Sequence, residues 1–175
     1  MNVDGWVDQQ VRRWRGNRPL DRLMYTASRW GDDGRVWIAA SAWRAGRSSD
    51  PRRYLVRQMS WLTVESVIVN GPMKGVVSRP RPAPEHDHPH RMRHPSDSSF
   101  PSGHAASAAM MAMLLSEDGS APMWWALALT IATSRVYVGV HHASDVAAGL
   151  AIGTAFGYAA RRLDRPRPGD QRGIS

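Results

Sequence analysis

The stretch Pro101-Ser102-Gly103-His104-Ala105-Ala106-Ser107-Ala108-Ala109-Met110-Met111-Ala112-Met113-Leu114-Leu115 decides the fold of this chain. Ser102 before Gly103 reads as a helix N-cap, because a serine hydroxyl accepts from the unpaired amides of a first turn. Alanine, methionine and serine follow, and no charge interrupts residues 103–116, so a small-residue helix is expected there. A partner lies at 146–160, where Gly149, Gly153 and Gly157 recur every four residues and form a face suited to close helix packing. Further apolar helices are expected over 36–45, 57–73 and 122–140. The expected fold class is all-α, a helical bundle of about five apolar helices.

Two amphipathic helices precede this bundle. Val3, Trp6, Val7, Val11 and Trp14 recur at helical spacing with Asp8, Arg12, Arg13 and Arg15 on the other side, and Leu20, Leu23, Met24, Ala27 and Trp30 repeat the pattern after Pro19. They suit either surface helices docked on a core or helices lying in a membrane interface, where tryptophan is at home. The expected organisation is amphipathic helices in 1–35, a catalytic helical domain over 36–160, and a basic tail over 161–175. That tail is rich in proline and glycine and is expected to be disordered.

A chain of 175 residues without cysteine has neither a disulfide framework nor a thiolate metal site. Its net charge of +8 suits an anionic partner. No nucleic-acid module accompanies that charge, so nucleic acid is not expected as a partner. No secretory signal peptide is evident at the N-terminus. The longest charge-free runs, at 119–134, 146–160 and 103–116, are 16, 15 and 14 residues long. Each is shorter than the ~18 residues of an ordinary spanning helix. Arginines nevertheless gather at two alternate helix ends, five of them between 44 and 57 and a pair at Arg161-Arg162. By the positive-inside rule those ends are cytoplasmic, which gives a multi-pass membrane protein with its active site on the outer side and its C-terminus inside.

The chemistry sits at the opposite ends of these segments. Lys74, the single lysine beside 22 arginines, opens Lys74-(six residues)-Arg81-Pro82. Pro101-Ser102-Gly103-His104 follows, then Ser134-Arg135-(five residues)-His141-(three residues)-Asp145. Arg81 and Arg135 offer planar forks that each bind two phosphate oxygens, and Lys74 offers a mobile point charge. The amides after Ser102, at Gly103 and His104, point at an anion with the helix dipole behind them. A nucleophilic imidazole needs its other nitrogen held by an acceptor, and Asp145 stands four residues beyond His141, within reach across one turn. His104 has no acidic neighbour in sequence. His141 is therefore the expected nucleophile, Asp145 its orienting group and His104 the general acid and base.

These three blocks, in this order and spacing, resemble the signature of the type 2 phosphatidic acid phosphatase (PAP2) superfamily, which includes lipid phosphate phosphatases, bacterial acid phosphatases and vanadium haloperoxidases. The resemblance covers about residues 36–160. It implies an all-helical fold and metal-independent hydrolysis through a phosphohistidine, without a cofactor and open to inhibition by vanadate. By position it implies phosphate binding by Lys74, Arg81, Ser102, Gly103 and Arg135, with His104, His141 and Asp145 in the roles above. The bacterial membrane branch fits best, and the expected substrate is a lipid phosphate or a polyprenyl diphosphate. Two alternatives stand beside it: a soluble phosphatase of small phosphate esters, and a non-enzymatic binder of anionic lipid or nucleic acid. Outside the blocks, the cluster His86, His88, His90 and His94 is expected to belong to a loop over the site rather than to hold a metal. Glu65, within an apolar segment, is expected to pack against a polar partner.

Overall fold

The computed structural model describes residues 2–83, 97–117 and 119–164. Eight α-helices account for most of it: α1 (Val3–Arg12), α2 (Arg18–Gly31), α3 (Arg35–Ala45), α4 (Pro51–Ile68), α5 (Lys74–Val76), α6 (Gly103–Leu115), α7 (Ala121–Tyr137) and α8 (Ala143–Leu163). No strand occurs among the described residues. The histidine cluster at 86–94 and most of the basic tail lie outside the described residues.

Helix α6 is the central rod. Ala105, Ala106, Ala108, Ala109, Met110, Met111, Ala112, Leu114 and Leu115 are all buried on it. Small side chains let its neighbours come close, and α8 comes closest. A Cβ added at Gly149 would lie 2.4 Å from the Ser102 carbonyl oxygen, and one at Gly153 would lie 2.0 Å from that of Ala106. The glycine face read from the sequence therefore packs directly on the α6 backbone. Helix α7 covers another side with Ala128 and Ile131, while Trp37 from α3 closes the cluster.

The N-terminal helices dock on this bundle. Tyr25 from α2 packs with Tyr137 at the end of α7 and with Val138 and Val140 in the turn after it, joined by Val11, Leu20 and Met24. The Tyr137 hydroxyl donates to Asp21 at 2.5 Å. Trp6 on α1, Trp14 in the turn after it and Trp30 on α2 point outward, each more than half exposed at 52, 62 and 55 %. Docking on the core and an outward tryptophan face thus coexist.

Several boundaries differ from the expected ones. Residues 51–56 are helical rather than loop, because α4 starts at Pro51. Asp50 caps it, accepting from the Arg53 amide at 3.0 Å, and proline suits a first turn that leaves amides unpaired anyway. Arg57, expected to mark a cytoplasmic face, turns onto Glu117 through two bonds of 2.8 Å and onto Asp164 at 2.6 Å. The far end of α4 does not run straight to residue 73. A π-helical turn over Val69–Met73 contains Pro72, whose missing N–H breaks the α-ladder. Helix α7 stops at Tyr137, and Gly139, at φ 72°, makes the turn that frees His141 from any helix. No helix among the described residues is long and apolar enough to cross a membrane. Helix α6, with 13 residues, reaches only about 20 Å at 1.5 Å per residue, against a hydrocarbon core of about 30 Å.

Candidate active site

Four helix ends converge on one cavity of about 260 Å³. The turn after α4 brings Asn70 and Lys74, the chain beyond α5 brings Arg81, and the start of α6 brings Gly103 and His104. Arg135 near the end of α7 and His141 in the following turn complete the wall. Six of the eight residues singled out in the sequence thus face one space. Ser102 lies just behind it, buried, and caps α6 by accepting from the Ala105 amide. Gly103 has a steric reason as well, since a Cβ there would meet the Asn70 side-chain oxygen at 2.5 Å.

The environment of His141 fixes its chemistry. Its Nδ1 lies 2.7 Å from the Ser99 carbonyl oxygen. A carbonyl only accepts, so Nδ1 carries the proton and Nε2 keeps its lone pair. Nε2 in turn sits 3.3 Å from Nη1 of Arg81, beside a guanidinium suited to phosphate. Burial, joined by the charges of Arg135 and Arg81, pushes the His141 pKa down to about 4 against the pull of Asp145. The ring is therefore neutral and able to attack at ordinary pH.

Asp145 does not hold His141 across a helical turn as expected. Its nearest oxygen is 3.8 Å from Nδ1, too far for a hydrogen bond. His142 is the N-cap of α8, so His141 precedes the helix and the one-turn spacing rule does not apply. The carboxylate instead accepts from the His142 amide at 2.9 Å and from Arg79 at 2.5 Å. Burial opposes its ionisation, but the His141 ring, the His142 amide and Arg79 outweigh that and hold its pKa down at about 2. Asp145 is thus a fixed negative charge beside the imidazole, and the Ser99 carbonyl is the hydrogen-bond acceptor. Ser99 is itself anchored, its amide donating to the Arg79 carbonyl at 2.9 Å and its hydroxyl to that of Pro80 at 3.1 Å.

The basic groups are partnered by carboxylates from outside the three blocks. Asp97 bridges Lys74 and Arg81, with 2.7 Å to each. Asp32, in the corner between α2 and α3, lies 2.9 Å from Nε2 of His104 and 3.7 Å from Nη1 of Arg135. Arg135 also donates to the Ser28 hydroxyl, yet its buried Nε–H has no partner among the described residues. An unpaired buried guanidinium N–H is costly, and an anion in the cavity would satisfy it. Asp32, Asp97, Arg79 and the Ser99 carbonyl all escaped the sequence reading. Only Arg79, two residues before Arg81, carried any local signal. Glu65, as expected, meets a polar partner, accepting from the Ser107 hydroxyl at 2.6 Å.

Comparison with known proteins bears on the family and the fold. The sequence profile of the PAP2 superfamily matches residues 56–168. This chain belongs to the PAP2 superfamily. Among PAP2 relatives, the decaprenylphosphoryl-5-phosphoribose phosphatase of Mycobacterium tuberculosis is 40 % identical over 88 residues, 49 % of this chain and 48 % of that protein. The matched stretch therefore spans about half the length of that relative. The enzyme of the same name from Mycolicibacterium smegmatis is 33 % identical over 134 residues, 70 % of this chain and 67 % of that protein. An undecaprenyl-diphosphatase of Sulfolobus acidocaldarius is 37 % identical over 81 residues, 42 % of this chain and 37 % of its own length. In structure, the chain is similar to a transmembrane PAP2 type phosphatidylglycerolphosphate phosphatase from Bacillus subtilis. The TM-score is 0.73 at 20 % identity, covering 93 % of this chain and 84 % of the other. At that identity the likeness concerns the fold.

Proposed function

We propose that this PAP2 protein is a metal-independent phosphatase acting at a membrane on a lipid phosphate or polyprenyl (di)phosphate, through a phosphohistidine on His141. The observation that carries the reading is the neutral His141, its Nε2 lone pair beside Arg81 in a cavity that also holds Lys74, Arg135 and His104. Lys74, Arg81 and Arg135 supply the positive charge that offsets the equatorial phosphate oxygens in the transition state. Nε2 of His141 attacks phosphorus, the bond from phosphorus to the leaving oxygen breaks, and His104 protonates that oxygen. His104 then takes a proton from water, the hydroxide attacks the phosphohistidine, and phosphate leaves as His141 is restored. The Ser99 carbonyl and the Asp145 charge stabilise the proton on Nδ1 while the ring carries the phosphoryl group.

Polyprenyl phosphates in the names of relatives support a lipid substrate. So do the exposed tryptophans of α1 and α2, which suit a lipid interface. The test is phosphate release by purified protein in detergent, with EDTA throughout. Its panel contains phosphatidate, phosphatidylglycerol phosphate, polyprenyl diphosphate, decaprenylphosphoryl-5-phosphoribose and p-nitrophenyl phosphate. At least one lipid substrate is expected to be cleaved faster than p-nitrophenyl phosphate, with vanadate inhibiting. Activity lost with EDTA, or confined to the small ester, would contradict this reading.

A further inference from the structure

We propose that Asp32 is a positioning residue of this site: its carboxylate fixes the His104 ring and links it to Arg135, so the N-terminal part of the chain completes the centre. This rests on the phosphatase reading above. The motif residues all lie between 74 and 145, and the family match begins at residue 56, so Asp32 belongs to neither. It nonetheless sits 2.9 Å from Nε2 of His104.

The corner that delivers it is shaped around that ring. A Cβ at Gly31 would lie 2.8 Å from Cδ2 of His104 and 2.9 Å from Ile131, so only glycine lets the chain pass. Asp33 and Gly34 follow with φ of 55° and 67°, two consecutive left-handed residues that turn α2 into α3. A non-glycine residue in that conformation persists only where its surroundings hold it. One turn before the corner, Ser28 accepts from Arg135. The end of α2 therefore holds both the proposed proton donor and the arginine beside it.

The chemistry follows from the contact. Burial works against ionisation of Asp32, but His104, Arg135 and Arg35 outweigh it and keep the group a carboxylate. A carboxylate only accepts, so Nε2 of His104 carries a proton and Nδ1 is the nitrogen left to exchange one with the leaving group or water. Asp32 also opposes the groups that discharge His104. Burial, Arg135 from α7 and Lys74 from the turn after α4 all disfavour the imidazolium, and Asp32 alone among these favours it. Asp33, Arg81 and His141 are the other ionisable groups lining the same cavity.

The test compares wild type with Asp32→Asn, Asp32→Glu, His104→Ala and the Asp32→Asn/His104→Ala double variant. Asp32→Asn is expected to lower kcat about 10- to 100-fold, as loss of an orienting partner commonly does. The basic limb of its pH profile should move to lower pH, because the acid form of His104 loses its counter-charge. Asp32→Glu should recover part of kcat. In the His104→Ala background, Asp32→Asn should add little further loss. An unshifted profile, or an equal further loss in that background, would overturn the proposal. The His104 ring resonance, followed by NMR against pH in wild type and Asp32→Asn, needs no turnover. A titration displaced to lower pH supports the contact, and coincident titrations refute it. Absence of phosphate release by wild type would instead fail the phosphatase reading.

Discussion

His141→Ala is expected to abolish phosphate release, with a fall on the order of 10⁴-fold or more, as when the nucleophile of a covalent mechanism is removed. Among the described residues, the variant removes the only imidazole whose free nitrogen is held against Arg81, at 3.3 Å. Folding should survive, because the ring sits in a turn and helix α8 keeps its cap through the His142 amide and Asp145. Vanadate or phosphate should still bind weakly through Lys74, Arg81 and Arg135. His104→Ala should cost less, since water can replace a general acid in part but cannot replace a nucleophile on the covalent route. Equal activity of His141→Ala and wild type on a lipid phosphate would reject the nucleophile assignment.

Gly153→Ala is expected to destabilise the fold more than its chemistry suggests. On an exposed helix this change gains up to about 1 kcal/mol of helix propensity. Here the new Cβ would stand 2.0 Å from the Ala106 carbonyl oxygen and 2.8 Å from its Cα, so backbone rather than a flexible side chain must yield. Overpacking of this kind costs about 1–3 kcal/mol, occasionally more, and the upper end applies when backbone must move. The net loss should be about 2 kcal/mol, equivalent to a drop of about 4–8 °C in Tm for a chain of this size. Gly71→Ala, with nothing within 4 Å of the new Cβ, is the control and should leave Tm almost unchanged. A Tm for Gly153→Ala at or above wild type would mean that α6 and α8 are not packed backbone to backbone. Activity should fall along with stability, because α6 carries Ser102, Gly103 and His104 at its N-terminus.

Much of this was legible in the sequence, for a physical reason. The small-residue run of α6 and the glycine ladder of α8 are periodic, and periodicity is local information. The three blocks are legible because each strings its charged residues beside a helix end. What was hidden depends on the return path of the chain. Asp32 reaches His104 across 72 positions. The Ser99 carbonyl acts through its backbone, which no side chain announces. Asp97 lies 23 residues from Lys74, across a segment that reads as loop. The expected bond from His141 to Asp145 failed because a four-residue spacing means one helical turn only inside a helix, and His141 is outside it. The start of α4 was misplaced because Arg52 and Arg53 resemble a charged loop, whereas Asp50-Pro51 is a start signal.

The most direct measurement is to trap the intermediate. Protein mixed with a rapidly cleaved lipid phosphate, quenched in base where phosphohistidine survives, and digested for mass spectrometry should carry phosphate on His141. The same modification should be absent from His141→Ala and should build up in variants of His104, where its breakdown is slowed. Phosphate found on another side chain, or turnover with no phosphorylated His141 at any quench time, would contradict the account.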